Sequence, residues 1–265
     1  MPLNWLCKGK NFICGLPRIN YPKGEVLNMK NILITGSEGQ LGKYFSRRLL
    51  EQGHNVTGYD INQKSSNNEI SYRQVDITKE SEVKGAVEDL GGKLDILINN
   101  AGTAVFTPFE VRTEDEIDRV MDVNIKGLLF LTQQVFTKIF KPNNSGRIIN
   151  IGSIYGVISG DMNIYKEGDR RTSEIYGASK AAVIQLSKYF STYMAPFNVS
   201  VNCISPGGIF NNQSESFVKA YAKKVPMKKM GHEEDLFAAL DFLISNSSNY
   251  LTGQNIIVDG GLTAW

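Results

Sequence analysis

Tyr176 and Lys180 stand four residues apart in Tyr-Gly-Ala-Ser-Lys, within a segment whose apolar residues recur at helical intervals. Spacing of i to i+4 sets both side chains on one face of a helix. A phenol with a pKa of about 10 is a poor acid or base at neutral pH. A neighbouring ammonium favours the phenolate and pulls that value towards neutrality, so the pair could exchange a proton with a substrate oxygen. By itself the pair is a weak motif, because Tyr and Lys at this spacing also make an ordinary exposed helix face.

A second group of residues has a different chemistry. Thr35-Gly36-Ser37-Glu38-Gly39-Gln40-Leu41-Gly42 separates an apolar strand-like run from a helix-like one. Glycines at 36, 39 and 42 permit a tight turn, close backbone approach to a diphosphate and close packing of helix on strand. The helix N-terminus that follows favours an anion through its free amides and its dipole. Asp60 closes the next strand, 18 residues after Gly42. A carboxylate there accepts hydrogen bonds from the hydroxyls of an adenosine ribose and repels a 2′-phosphate. Neither Ser37 nor Glu38 is basic, nor are the neighbours of Asp60, and Glu38 would add to the repulsion. The pattern favours NAD over NADP.

The elements that must hold these residues alternate. Short runs rich in Ile, Val and Leu predict strands over Ile32–Thr35, Asn55–Tyr59, Ser71–Val75, Ile96–Asn99, Arg147–Ile151, Ser200–Ile204 and Asn255–Val258. Little alternation within them marks strands buried on both faces of a parallel sheet. Amphipathic segments at Leu41–Gln52, Glu80–Leu90, Thr113–Phe140, Tyr176–Tyr193 and Glu233–Ser245 predict the intervening helices. The order predicts a Rossmann-type, doubly wound α/β sheet of about seven parallel strands in a single domain. Right-handed crossovers bring the strand C-termini to one edge, where ligands bind.

With 265 residues, 42% hydrophobic and 21% charged, the chain can bury one large core. A net charge of +2 offers no basic face for nucleic acid. Three cysteines, Cys7, Cys14 and Cys203, show neither disulfide nor zinc spacing, so no metal site is expected. Their sparseness fits a reducing compartment, and we expect a cytoplasmic protein. No run approaches the roughly 18 apolar residues of a membrane span, and no signal peptide is evident. Residues 1–28, with Pro2, Gly9, Gly15, Pro17, Pro22 and Gly24, lack periodicity and read as a loosely ordered arm, with Met29 as a candidate natural start. The domain proper spans 29–265. His54 and His232 read as surface or capping residues, Cys203 as a small buried hydrophobe, and the lysines from Lys219 to Lys229 as a solvated face.

Together these pieces resemble the short-chain dehydrogenase/reductase family, in its compact branch, from about Lys30 to Trp265. The matching residues are the glycine turn, Asp76-Ile77 after the third strand, Asn99-Asn100-Ala101-Gly102 after the fourth, Asn124, Ser153 after the fifth, Tyr176 with Lys180, and Pro206-Gly207-Gly208-Ile209 after the sixth. The resemblance implies that Tyr176 exchanges the proton and that Ser153 orients the substrate oxygen. It implies that Lys180 lowers the tyrosine pKa and holds the nicotinamide ribose, and that Asn124 holds a water of the proton relay. Asp76 and Ile77 would face the adenine, Asn100, Ala101 and Gly102 would line the cofactor channel, and Pro206, Gly207 and Ile209 would cover the nicotinamide. Hydride passes directly between substrate carbon and nicotinamide.

Two departures stand out. The compact branch usually has glycine at the position of Gln40. The loop Ile154–Ile175 puts 22 residues between Ser153 and Tyr176, and includes Asp161, Tyr165, Lys166, Glu167, Arg170 and Arg171. Its polarity points to a hydrophilic or charged substrate. This loop, with the tail Asp259–Trp265, looks like bacterial dehydrogenases of surface-sugar or flagellin-glycan pathways. The expected activity is therefore NAD-linked oxidation of a sugar or related secondary alcohol. Reduction of a 3-oxoacyl thioester, or NAD binding without turnover by a regulator, are the alternatives. The compact branch commonly assembles, and apolar Gly127–Phe140 is consistent with a homodimer or homotetramer.

Overall fold

The computed structural model describes residues 29–165 and 171–265. The expected arm over 1–28, Cys7, Cys14 and the loop residues 166–170 lie outside the described residues. Strand β1 (Asn31–Thr35) leads through the glycine turn into helix α1 (Gln40–Glu51), then β2 (Asn55–Asp60), β3 (Ser71–Gln74), α2 (Glu80–Glu88) and β4 (Ile96–Asn99). Next come α3 (Glu114–Met121), α4 (Leu128–Val135) and α5 (Lys141–Asn143), followed by β5 (Gly146–Ile151) and α6 (Glu174–Met194). The chain closes with β6 (Val199–Pro206), α7 (Glu215–Lys224), α8 (Glu233–Ile244) and β7 (Asn255–Val258).

The strands form one parallel sheet in the order β3-β2-β1-β4-β5-β6-β7. Alternate residues of β1 divide between its faces. Leu33 joins a core with Val83 of α2, Leu131 of α4 and Met194 of α6. Ile32 and Ile34 join Phe45 of α1 and Leu240 of α8 in the other. Two helical layers thus cover both faces, which is why the central strands are apolar throughout. Strand order reverses between β1 and β4, and a crevice opens there at the strand C-termini.

The seven expected strands are present, with ends moved by one or two residues. The segment expected as one helix from Thr113 is more articulated. Thr113 is its N-cap, in a reciprocal capping box with Glu116. Turns of π-helix at Asp122–Gly127 and Phe136–Phe140 then separate α3, α4 and α5. A Cβ on Gly127 would stand 2.7 Å from Ile77, so the first π-turn is packed directly on the segment after β3.

Three expectations change. His54 is buried, not at the surface, and its Nδ1 accepts the Lys30 amide at 3.3 Å. Burial holds its imidazole below the ordinary value. His232 does cap a helix, α8. Helix α7 was not anticipated: its apolar residues Phe217, Val218 and Tyr221 are interleaved with lysines that masked the periodicity. Of the apolar residues in 127–140, Leu128, Leu131, Val135, Phe136, Ile139 and Phe140 are buried within the protomer and Leu129 and Phe130 are half-buried, so most of that apolarity is used inside the fold.

Candidate active site

The glycine turn sits at the switch point. Gly36 has φ +63°, and a Cβ there would lie 2.9 Å from the Ala101 Cα, closing the crevice between β1 and β4. A Cβ on Gly42 would stand 2.0 Å from the Gly36 carbonyl oxygen, so α1 can begin only where residue 42 has no side chain. Gly39 is the exposed N-cap of α1 and makes no side-chain capping bond, which leaves the first amides of that helix to an anion. Thr35 Oγ1 accepts the amides of Asn100 and Ala101 at 3.1 and 3.0 Å. Asn100 Nδ2 donates to the carbonyls of Thr35 and Gly36 at 2.9 and 3.0 Å. The two loops bordering the crevice are thereby fixed to each other.

A cavity of about 610 Å³ follows this crevice. Gly36, Glu38, Gly39, Gln40, Leu41, Asp60, Asp76, Ile77, Asn100, Ala101 and Gly102 all line it. Ser37 and Gly42 lie beneath its wall instead, since Ser37 is buried and Gly42 packs on Gly36. Asp60 accepts the amides of Glu38 at 2.9 Å and Asn62 at 3.1 Å, and keeps further lone pairs on each oxygen. The Glu38 carboxylate is anchored by the segment between β2 and β3. It accepts Ser65 Oγ at 2.9 Å and the Ser66 amide at 3.0 Å, with Lys43 at 3.5 Å. Burial would raise its pKa, but the bonds from Ser66 and Ser65 and the Lys43 charge more than offset that and keep it ionised below the usual range. Asp76 is likewise held low: burial opposes, while Thr78 and Lys79 prevail. These features fit a nicotinamide dinucleotide: a side-chain-free cradle, exposed helix amides for its diphosphate, and Asp60 for its ribose.

The second half of the site grows from β5 and α6. Ser173 caps α6 by accepting the Tyr176 amide at 3.3 Å, which sets Tyr176 in the first helical turn. There the helix dipole favours negative charge on the phenol. Ser153 follows β5, and its Oγ accepts the Tyr155 amide at 3.1 Å. Its hydroxyl proton is then free to point to Tyr176. Burial raises the Tyr176 pKa, and the Ser153 hydroxyl pulls it back in part.

Lys180, one turn on, is buried. Its Nζ donates to the Ile151 carbonyl at 2.8 Å and lies 5.8 Å from the centre of the Tyr176 ring. Burial brings its pKa down from 10.5 to about 8, with the Cys203 sulfur opposing. In this state the opposing pulls on Tyr176 are burial and Ser153, and the ammonium is engaged by a carbonyl. A Cβ on Gly102 would come 3.3 Å from Lys180 Nζ and 3.4 Å from Asn124 Oδ1, so that glycine keeps the space above both open. Asn124 stands in the π-turn. Its Oδ1 accepts the Thr103 amide at 2.8 Å, and its Nδ2 donates to the Thr103 carbonyl at 3.0 Å and Ser179 Oγ at 2.9 Å. Its side chain thus joins the loop after β4 to α6. Turns of π-helix recur at functional sites.

Ser153 and Tyr176 open into a cavity of about 500 Å³ closed by Gly207, Gly208 and Ile209, while Pro206 is buried at the end of β6 behind it. Sequence reasoning missed its aromatic wall: Tyr155 and Tyr165 both on the lining, Tyr165 against Phe217 and Phe217 stacked on Tyr221. The signal was present in the tyrosines of the long loop, but their partners lie on the unanticipated α7. Of the loop's charged residues, Asp161 and Arg171 are described, and neither lines the cavity. Asp161 pairs with Lys224 at 2.6 Å. Among the described residues the lining carries aromatic, hydroxyl and amide groups. Cys203 of β6 packs beneath α4 and α6 as a buried thiol, and no group of three metal-ligating side chains occurs among the described residues.

A parallel sheet with a glycine turn at its switch point and a Ser–Tyr–Lys cluster beside it is a dinucleotide-binding architecture. Comparison with known proteins agrees. A family model described as "Enoyl-(Acyl carrier protein) reductase" matches residues 37–263. The chain is 31% identical to a 7alpha-hydroxysteroid dehydrogenase of Bacteroides fragilis, over 88% of this chain and 94% of that one. It is 30% identical to an NAD-dependent glycerol dehydrogenase of Listeria innocua, over 88% and 94%. A short-chain dehydrogenase of Leptospira borgpetersenii, solved with bound NAD+, is 42% identical and superposes with a TM-score of 0.84 over 89% of this chain and 93% of that one. The protein belongs to the short-chain dehydrogenase/reductase family of oxidoreductases.

Proposed function

We propose that this protein is an NAD-dependent oxidoreductase that moves hydride between nicotinamide and a secondary alcohol or ketone, with a sugar or sugar derivative as substrate. The observation that carries the reading is the placement of Ser153 and Tyr176 together on the lining of one cavity, with Lys180 buried beside the same ring. A bound nicotinamide would supply or accept the hydride. Tyr176 Oη exchanges the proton with the substrate oxygen. Ser153, oriented by the Tyr155 amide, gives its proton to that oxygen or to the phenolate. Lys180 favours the phenolate and reaches, through the space left by Gly102, towards the ribose. Asn124 fixes the distance between the cofactor loop and α6. Asp60 receives the adenosine ribose, and its charge supports NAD over NADP.

The substrate assignment rests on the hydroxyl and amide groups around the cavity, and on the alcohol-oxidising relatives. A second reading, reduction of a 3-oxoacyl thioester, draws on Phe106, Ile164, Phe217 and Met230 in the same lining. An NAD-binding regulator without turnover fits poorly, since Ser153, Tyr176 and Lys180 converge. We also propose a cytoplasmic homo-oligomer: the described helices include none long and apolar enough to cross a membrane, and Ile117, Met121, Tyr189 and Tyr193 expose apolar surface on α3 and α6.

The test is the reduced-nicotinamide absorbance on mixing protein and NAD with neutral sugars, polyols, sugar phosphates and nucleotide sugars, and NADH with a 3-oxoacyl thioester. Turnover with a sugar or polyol is expected. Turnover confined to the thioester, or to NADPH, would overturn the corresponding part of the reading.

A further inference from the structure

The segment after β6 is fastened along its length. Gly207 donates to the Val258 carbonyl at 2.9 Å, Gly208 to Tyr221 Oη at 2.5 Å, and Phe210 to the Gly231 carbonyl at 2.9 Å. All of these hold it from the side of the sheet, α7 and the approach to α8. One fastening comes from the opposite wall. Gln40 Nε2 donates to the Phe210 carbonyl at 2.7 Å and to Glu233 Oε1 at 2.8 Å. Gln40 opens α1 and lines the cavity of Asp60, whereas Ile209, the neighbour of Phe210, lines the cavity of Tyr176. A single side-chain amide therefore bridges the two walls between which a dinucleotide must run from Asp60 to Tyr176.

We propose that Gln40 is a latch across the cofactor cleft, holding the glycine turn to the segment that covers the nicotinamide and releasing when the dinucleotide enters or leaves. The proposal rests on the dinucleotide-binding reading above and goes beyond it. The side chain suits the task. An amide nitrogen carries two protons, one for each acceptor. A glycine, usual in the compact branch at this position, would leave both acceptors to water. A glutamate could donate to neither and would repel Glu233. The bond to a carboxylate is the stronger of the two, and both are partly exposed to water, so the bridge is strong enough to slow release and weak enough to open.

The experiment is stopped-flow fluorescence of NADH release from the full chain, with steady-state kinetics alongside. Gln40→Ala should release NADH about tenfold faster and raise the KM for NAD. Glu233→Ala should give a smaller acceleration, and the double variant no more than Gln40→Ala alone, because both act through one amide. Release rates within twofold of wild type in Gln40→Ala, with only a lowered thermal midpoint, would show a purely structural contact and overturn the latch. Fully additive effects would do the same. If Gln40→Ala does not fold, the Glu233→Ala rate decides. If wild type binds NADPH instead, the same rates are read with NADPH, so a failed NAD assignment is told apart from a failed latch. Wild type binding neither dinucleotide would overturn both.

Discussion

Replacing Lys180 by methionine should make the protein more stable while abolishing turnover. Lys180 is buried, and burial lowers its pKa from 10.5 to about 8. That difference corresponds to a penalty of about 3 kcal/mol for keeping the ammonium charged in the fold at neutral pH. Methionine fills similar volume without the charge. It also leaves the Ile151 carbonyl without its 2.8 Å donor, at a cost of about 1–2 kcal/mol. The net expectation is a gain of about 1–2 kcal/mol, or a rise in Tm of about 3–6 °C for a chain of this size. The sign with pH follows from the folded value lying below the unfolded one. Below pH 8 the penalty is fully present, and between about 8 and 10.5 the unfolded chain binds the extra proton, so wild-type stability climbs relative to Lys180→Met. Calorimetry or urea titration of both proteins without cofactor, across that range, reads the difference. A variant less stable than wild type at pH 7, or a gap that stays constant across the range, would refute the reasoning.

Two further outcomes can be checked on purified variants. Asp60→Ser removes the charge that opposes a 2′-phosphate and should move the ratio of kcat/KM for NADP over NAD upward by about ten- to a hundredfold; an unchanged ratio would assign selectivity elsewhere. Ser153→Ala removes the hydroxyl that lowers the Tyr176 pKa. Activity should fall about a hundredfold or more, and the rising limb of alcohol oxidation should move to higher pH. A limb that stays in place would mean that Ser153 does not act on the phenol.

Much of the fold was legible because the central strands are buried on both faces, and burial wrote itself into Ile32–Ile34 and Ile96–Ile98 as uninterrupted apolar runs, and into Ile148–Ile151 as a run broken only by Asn150. Local signals also located the turn, since Gly36 and Gly42 occupy positions where a Cβ would strike backbone. What stayed hidden was long-range. Gln40 looked like a lapse in a glycine pattern, and its reason lies 170 residues on, at Phe210. Helix α7 was obscured by its lysines, of which Lys219 and Lys224 pair with Glu215 and Asp161. With α7 unseen, the aromatic wall of the cavity could not be assembled. Glu38 was read as adding to the repulsion of a 2′-phosphate, and its partners, Ser65 and Ser66, sit in a loop that sequence periodicity does not describe. The engagement of Asn124 by Thr103 and Ser179 depends on a π-turn, which leaves no distinct pattern in the sequence.

The central claim is that Tyr176 moves the proton while the rest of the site holds the dinucleotide. Tyr176→Phe tests it most directly, with turnover read from reduced-nicotinamide absorbance and NADH binding read from fluorescence on the same preparation. The account predicts turnover lowered by about a thousandfold or more with NADH affinity within a few fold of wild type. Turnover retained near the wild-type rate would contradict it.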